Sequence, residues 1–262
     1  MSLGNILSNY TYIFILTMIR YTGLFLITPI LSSDVIVSRI KIAISFFLAL
    51  ITLPMIIELQ TLEMPNSLLL ILVDILKELS IGFIMGFIVL LFFTAIQLAG
   101  QYIDMRMAFR MANVVNPLSN SSTPVIGQFQ NIMAVLVFLT IDGHHILIHN
   151  IYLSFETIPL GRAVYINELF KFIFRASGDM FIISFKIALP IIGTIFLVDV
   201  ILGFLARAVP QMNLFIIGLP VKILVGFVFL ILSLTIIVNF YSDLFDQLFA
   251  KIVKMLEFFG GG

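Results

Sequence analysis

The chain has 262 residues, of which 61% are hydrophobic and 11% charged, with 14 basic and 14 acidic side chains. A mean hydropathy of +1.19 excludes an ordinary soluble domain, and the balanced charge offers neither a basic stripe for nucleic acid nor an acidic tail. Cysteine is absent, which excludes disulfides, thiolate metal sites and cysteine nucleophiles; tryptophan is absent too, so an interfacial aromatic belt must be Tyr or Phe.

A spanning helix needs about 20 apolar residues. Six stretches approach this, at 10–31, 40–57, 79–99, 125–141, 180–205 and 214–240, and only 79–99 and 223–242 are free of charge at full length. Helical periodicity prevails throughout, and no strand alternation suggests a transmembrane barrel. The first stretch is interrupted by Arg20. The residues before it have no basic n-region, and no small-residue cleavage site follows, so this helix is expected to stay and not to be cleaved as a signal. A break from Thr28 to Ser38 precedes the second stretch, which Lys41 and Pro54 bracket. After a break at Glu58–Ser67, the apolar run Leu68–Leu98 contains Asp74, Lys77 and Glu78, then Gly82 and Gly86 in a G-x-x-x-G that lets two helix backbones approach. Arg110–Pro124 is a further break. Asp142-Gly143 reads as a turn after the fourth stretch, and Ile158–Arg162 as another. Lys186, Pro190 and Asp199 cut Met180–Leu205, and Pro220 and Lys222 cut Leu214–Val238. The prolines are expected to kink or end their helices.

A charge at the bilayer centre costs about 2.5–3.5 kcal/mol on insertion scales. Simple lipid-facing anchors would not carry so many, so much of the apolar surface is expected to be buried against protein or to line a polar path. No repeat or linker divides the chain, and one domain over 1–262 is the expectation. Orientation is not legible. Arg39, Lys41, Arg106, Arg110, Arg207 and Lys222 fall in alternate loops, but Arg162, Lys171, Arg175, Lys251 and Lys254 oppose them.

Three constellations could carry chemistry or movement. Met105–Pro124 reads MRMAFRMANVVNPLSNSSTP; Met105, Met107 and Met111 are flexible and polarisable, suited to a deformable seal beside a pore, though a plain connector would also fit. Asp142, His144 and His145, with His149 one turn on, form the one metal-like cluster. No His-Glu-x-x-His accompanies it, which favours a capping or hydrogen-bonding cluster at a helix end over a zinc site. Ser154 lacks a nucleophile elbow, and there is no glycine-rich phosphate loop, so neither catalytic residues nor a cofactor are expected. Arg207, Gln211, Asn213 and Lys222 place polar groups in an apolar neighbourhood, where they need partners, water or another subunit.

Several blocks occur in a specific order: Gly100-Gln101 with Asp104, Asn116-Pro117, Phe138 to Asp142-Gly143-His144-His145, Ser154-Phe155, Pro159-Leu160-Gly161, Arg207-Ala-Val-Pro210-Gln211-Met-Asn213, and Gly218-Leu-Pro220-Val-Lys222. Together they resemble the flagellar FliR family, whose counterparts serve virulence type III secretion. The resemblance covers almost the whole chain. It implies an all-α, membrane-associated subunit of helical hairpins with kinked helices, arranged like a FliP–FliQ fusion and packed in a hetero-oligomeric helical export gate. It implies partners of the FliP and FliQ type, gate proteins of the FlhA and FlhB type, unfolded export substrates, and a place in the bacterial inner membrane at the flagellar basal body. Carried onto this chain, Met105, Met107, Phe109, Met111, Asn116 and Pro117 match the segment that plugs the closed channel. Gln101, Asp104, Arg207, Pro210, Gln211, Asn213 and Lys222 match blocks near subunit contacts. Ala108-Phe109 stands where the family often has Gly-Phe, and Asn116-Pro117 where Asp-Pro is usual. A stand-alone transporter of small solutes or ions, using Arg20, Lys41, Lys186 and Asp199, is the alternative.

Overall fold

The computed structural model describes residues 3–29, 37–60, 62–109, 124–163, 167–209, 211 and 214–259. Among them every regular element is an α-helix: α1 (Leu3–Ile27), α2 (Ser38–Leu59), α3 (Leu68–Arg106), α4 (Val125–Thr140), α5 (Gly143–Thr157), α6 (Asn167–Ala208) and α7 (Leu214–Phe259). Five of these, α1, α2, α3, α6 and α7, are long and apolar enough to cross a membrane, and α4 and α5 form a pair bent by 67° at their junction. The chain is a helical membrane protein.

The helices run further than the apolar stretches suggest. α3 has 39 residues, α6 has 42 and α7 has 46. At 1.5 Å per residue each is roughly 60 Å or longer, about twice a hydrocarbon core. Pro54, Pro190 and Pro220 lie inside α2, α6 and α7 without ending them. The predicted turn at Asp142 is present: its backbone is left-handed (φ 56°, ψ 29°) and marks the α4–α5 bend.

Two compact units emerge, one from residues 1–91, 142–176 and 245–262, the other from 92–141 and 177–244. α3, α6 and α7 each contribute to both. In the first unit α1 lies against α2 and crosses α3 at close range. A Cβ on Gly23 would stand 2.6 Å from the Leu79 carbonyl oxygen, one on Gly86 would stand 2.8 Å from that of Leu24, and one on Gly82 would overlap that of Arg20. The G-x-x-x-G therefore seats a helix of this same chain. Leu16, Tyr21, Ile56, Ile81, Phe155 and Phe245 fill the unit's interior.

In the second unit, a Cβ on Gly100 would overlap the backbone of Gly127, so α3 and α4 also cross with almost no gap. Phe93 meets Phe138 edge-on at 5.8 Å between ring centroids, and Tyr102 stacks on Phe185 at 4.9 Å. α6 and α7 form a hairpin. Asp199 pairs with Lys222, and a Cβ on Gly218 would come within 3.2 Å of Leu202.

Candidate functional site

The segment 110–123 lies outside the described residues, and Met111, Asn116 and Pro117 with it. Its two roots are well defined. α3 ends at Arg106, and the chain turns through Met107, Ala108 and Phe109. The Phe109 amide donates to the Asp104 carbonyl (3.2 Å) and the Met107 amide to that of Ile103 (2.8 Å). Ala108 closes the turn at φ 61°, a left-handed conformation that glycine adopts freely and alanine at a cost of about 1–2 kcal/mol. Ala108 is the position where the family resemblance leads one to expect glycine. Met105 is 55% exposed, whereas Met107 is fully buried. The Met107 thioether packs so tightly on Gly226 of α7 that a Cβ there would lie 2.7 Å from its sulfur. Phe109 meets Phe227 edge-on at 5.7 Å.

The second root begins at Pro124. The buried Asp104 carboxylate accepts from the Ile126 amide with both oxygens (3.1 Å each) and from the Gly127 amide (3.2 Å). The first turn of a helix exposes unpaired N–H groups and a positive dipole end, so a carboxylate there acts as a cap borrowed from another helix. Asp104 thus ties the exit of the 110–123 segment to its return. Gln101 is half-buried one turn earlier, and a Cβ on Gly127 would lie 3.6 Å from its Cγ.

A second polar centre lies in the first unit. Arg20 and Glu78 are both 0% exposed. The guanidinium donates through Nε to Glu78 (2.6 Å), through Nη1 to the Ser154 carbonyl (2.8 Å) and hydroxyl (3.0 Å), and through Nη2 to the Ile158 carbonyl (3.1 Å). It also lies 4.3 Å above the Phe155 ring. Glu78 accepts from the Gly161 amide (2.8 Å), the Gln60 side chain from the Leu160 amide (2.8 Å), and the Gly161 carbonyl from Lys77 (2.8 Å). Asp74 accepts from the Tyr12 hydroxyl (2.7 Å). Gly161 has φ 70°, which its lack of Cβ permits. Ser154-Phe155 and Pro159-Leu160-Gly161 therefore converge on one buried ion pair. Sequence reasoning singled out these charges and these blocks but could not join them, because the partners lie 58 to 138 residues apart.

Of the remaining singled-out residues, Arg207 and Gln211 are exposed and Lys222 is half-buried, while Pro210 and Asn213 lie outside the described residues.

The family model for bacterial export proteins, family 1, matches residues 11–248. The chain belongs to the FliR family of bacterial export proteins. It is similar to the flagellar biosynthetic protein FliR of Bacillus subtilis, 35% identical over 250 residues covering 94% of this chain and 95% of the relative. It is 31% identical to the FliR protein of Pectobacterium carotovorum, over 95% and 94% of the two chains. The FliR protein of Escherichia coli is 28% identical over 92% and 91%. This membership makes the chain a membrane-embedded component of the flagellar export apparatus.

The transporter alternative is not favoured. Arg20 is sealed in the ion pair described above, and Asp199 is held by Lys222, so two of its four charges are committed to holding the fold. The helix-end cluster is compact, with one ligand atom from each of Asp142, His144 and His145 lying within 4.8 Å of the others. Asp142 makes no side-chain cap; its carboxylate lies 3.4 Å from His145 Nδ1, with both residues exposed. The His144 and His145 rings lie 4.1 Å apart. Three donors could hold a metal.

Proposed function

We propose that this chain is a structural and gating subunit of the flagellar protein export apparatus, forming part of the conduit for unfolded export substrates in the bacterial inner membrane at the basal body. Its partners are FliP-like and FliQ-like subunits, with FlhA-like and FlhB-like export proteins nearby, and the whole chain is one FliR-like domain with FliP-like and FliQ-like portions. The observation that carries the gating reading is the Asp104 clamp: the end of α3 and the first turn of α4, which flank 110–123 in the chain, are tied by one buried carboxylate. A bistable gate needs fixed supports on either side of it, and this clamp supplies them. Met105, exposed beside the clamp, and Met111 would supply flexible, deformable apolar surface suited to sealing a channel around ions and reshaping around a passing chain, with Met107 and Phe109 packed on α7 beneath them. Gln101, Arg207, Gln211 and Lys222 serve assembly.

The test is deletion within 112–122 in cells carrying the otherwise intact apparatus. Ion leakage across the membrane is expected to rise while the subunits still co-purify. A membrane as tight as wild type, with the assembly intact, refutes the gating role.

A further inference from the structure

The α6–α7 hairpin carries its own depth marks. The Asp199–Lys222 pair stands near one end. Asp179 of α6 and Asp243 of α7 stand toward the other. Between these marks, 223–242 has no ionisable chain-forming residue other than Tyr241, and 180–198 has one, Lys186. Each stretch is about 30 Å long, one hydrocarbon thickness. Lys186 lies seven residues from Asp179, about 10 Å inside the apolar slab.

Lys186 is exposed, and no acidic group among the described residues pairs with it. It sits on one face of α6 with Phe181, Ile182, Phe185, Leu189 and Phe196, all more than half exposed, at the i, i+3, i+4, i+7 spacing of a single helical stripe. Phe185 stacks on Tyr102 of α3, but beyond that ring the described residues leave the face open: a Cβ on Gly193, in the same stripe, meets no atom within 4 Å. The chain's other deep cation, Arg20, is sealed by a carboxylate and three further acceptors. Lys186 has the same need and no acidic partner among the described residues, and an unpaired ammonium facing hydrocarbon is unfavourable.

We infer that this face of α6 is a subunit interface, and that its occupant is an apolar helix of another subunit of the export apparatus bearing a carboxylate at the depth of Lys186. The inference rests on the assembly reading above. Aromatic rings on either side of Lys186 would exclude water from the pair, and the charge would fix the register in which the partner helix docks.

The experiment uses the tagged full chain in its native membrane, with two readouts. The first is the amount of other export subunits that co-purify with Lys186→Arg, Lys186→Met and Lys186→Glu, each normalised to the chain's own level. Lys186→Arg is expected to match wild type, and the other two to lose on the order of 10-fold or more of the co-purified partner. The second, with Lys186 intact, places a photo-crosslinking residue at Leu189 and identifies the adduct by mass spectrometry; a peptide of another subunit, with an Asp or Glu in its apolar stretch, is expected. Wild-type recovery with Lys186→Met overturns the inference while leaving the assembly reading intact. So does an adduct with lipid alone, which would mean that Lys186 snorkels to water, or an adduct with a second copy of this chain. If wild type itself carries no other subunit, the assembly reading fails, and the Leu189 adduct in intact cells still decides what covers the face.

Discussion

Replacing Arg20 by Met is expected to be more damaging than removing both members of the Arg20–Glu78 pair. In the single variant the Glu78 carboxylate stays fully buried with the Gly161 amide as its remaining partner among those described, and the Ser154 and Ile158 carbonyls lose their donor. Stranding one charge of a buried pair costs about 3–5 kcal/mol. Glu78→Leu strands the guanidinium instead and falls in the same range. In the double variant Arg20→Met/Glu78→Leu no unpaired charge remains. What is lost is a few hydrogen bonds to neutral backbone groups at about 1 kcal/mol each, partly offset by apolar packing. The double variant should therefore be more stable than Arg20→Met alone, with a coupling of about 3 kcal/mol or more between the two sites. Thermal unfolding of the tagged chain in detergent, followed by the surviving monodisperse fraction on size exclusion, reads this. At roughly 2–4 °C per kcal/mol for a chain of this size, Arg20→Met should melt on the order of 10 °C below wild type, with the double variant between them. Additive losses, or a shift below about 2 °C for Arg20→Met, would show that the pair is hydrated or replaceable and refute the reasoning.

Three further substitutions separate packing, helix propensity and capping. Gly82→Ala drives a Cβ onto the Arg20 carbonyl oxygen, where rigid backbone must move at about 1–3 kcal/mol; Gly178→Ala, whose Cβ meets nothing within 4 Å, should instead raise the melting temperature by about 1 kcal/mol worth of helix propensity. The same detergent melts would show the opposite signs. Asp104→Ala removes the carboxylate shared by the Ile126 and Gly127 amides; loss of this cap should cost about 1 kcal/mol, and membrane leakage should rise above wild type but stay below that of the 112–122 deletion. Leakage equal to wild type would show that the two roots hold without their tie.

The helices were legible from apolar periodicity, and the turn at Asp142 from its Asp-Gly pair. Their lengths were not. Asp74, Lys77 and Glu78 read as interruptions before the charge-free stretch 79–99, yet α3 runs through all three. A charge does not end a helix; what is costly is burying it without a partner. Here Tyr12, Gly161 and Arg20 answer those three from elements far away in the chain, and one sequence does not display such pairings. The same holds for Asp104: it was picked out as a residue of a block, but its tie to the start of α4 is a tertiary fact. The segment 110–123, with Met111, Asn116 and Pro117, lies outside the described residues.

The two polar centres also differ in a way that bears on assembly. The Arg20 guanidinium finds its acceptors within the same chain, so this buried charge needs no other molecule to be tolerable. Along α6 the economy is opposite: Phe181, Ile182, Phe185, Leu189 and Phe196 are exposed around a cation that has no counter-charge among the described residues. A protein built to act alone in lipid would gain by replacing Lys186 with an apolar residue, since removing the charge relieves an insertion penalty and costs no ion pair among the described residues. A subunit of a larger body has a reason to keep it, because the same charge that is unfavourable in isolation selects which helix docks there and at what height. Lys186→Met should accordingly leave the melting temperature of the isolated chain unchanged or raised, while weakening the assembled complex. A parallel loss in both measurements would place the role of Lys186 within the chain's own fold.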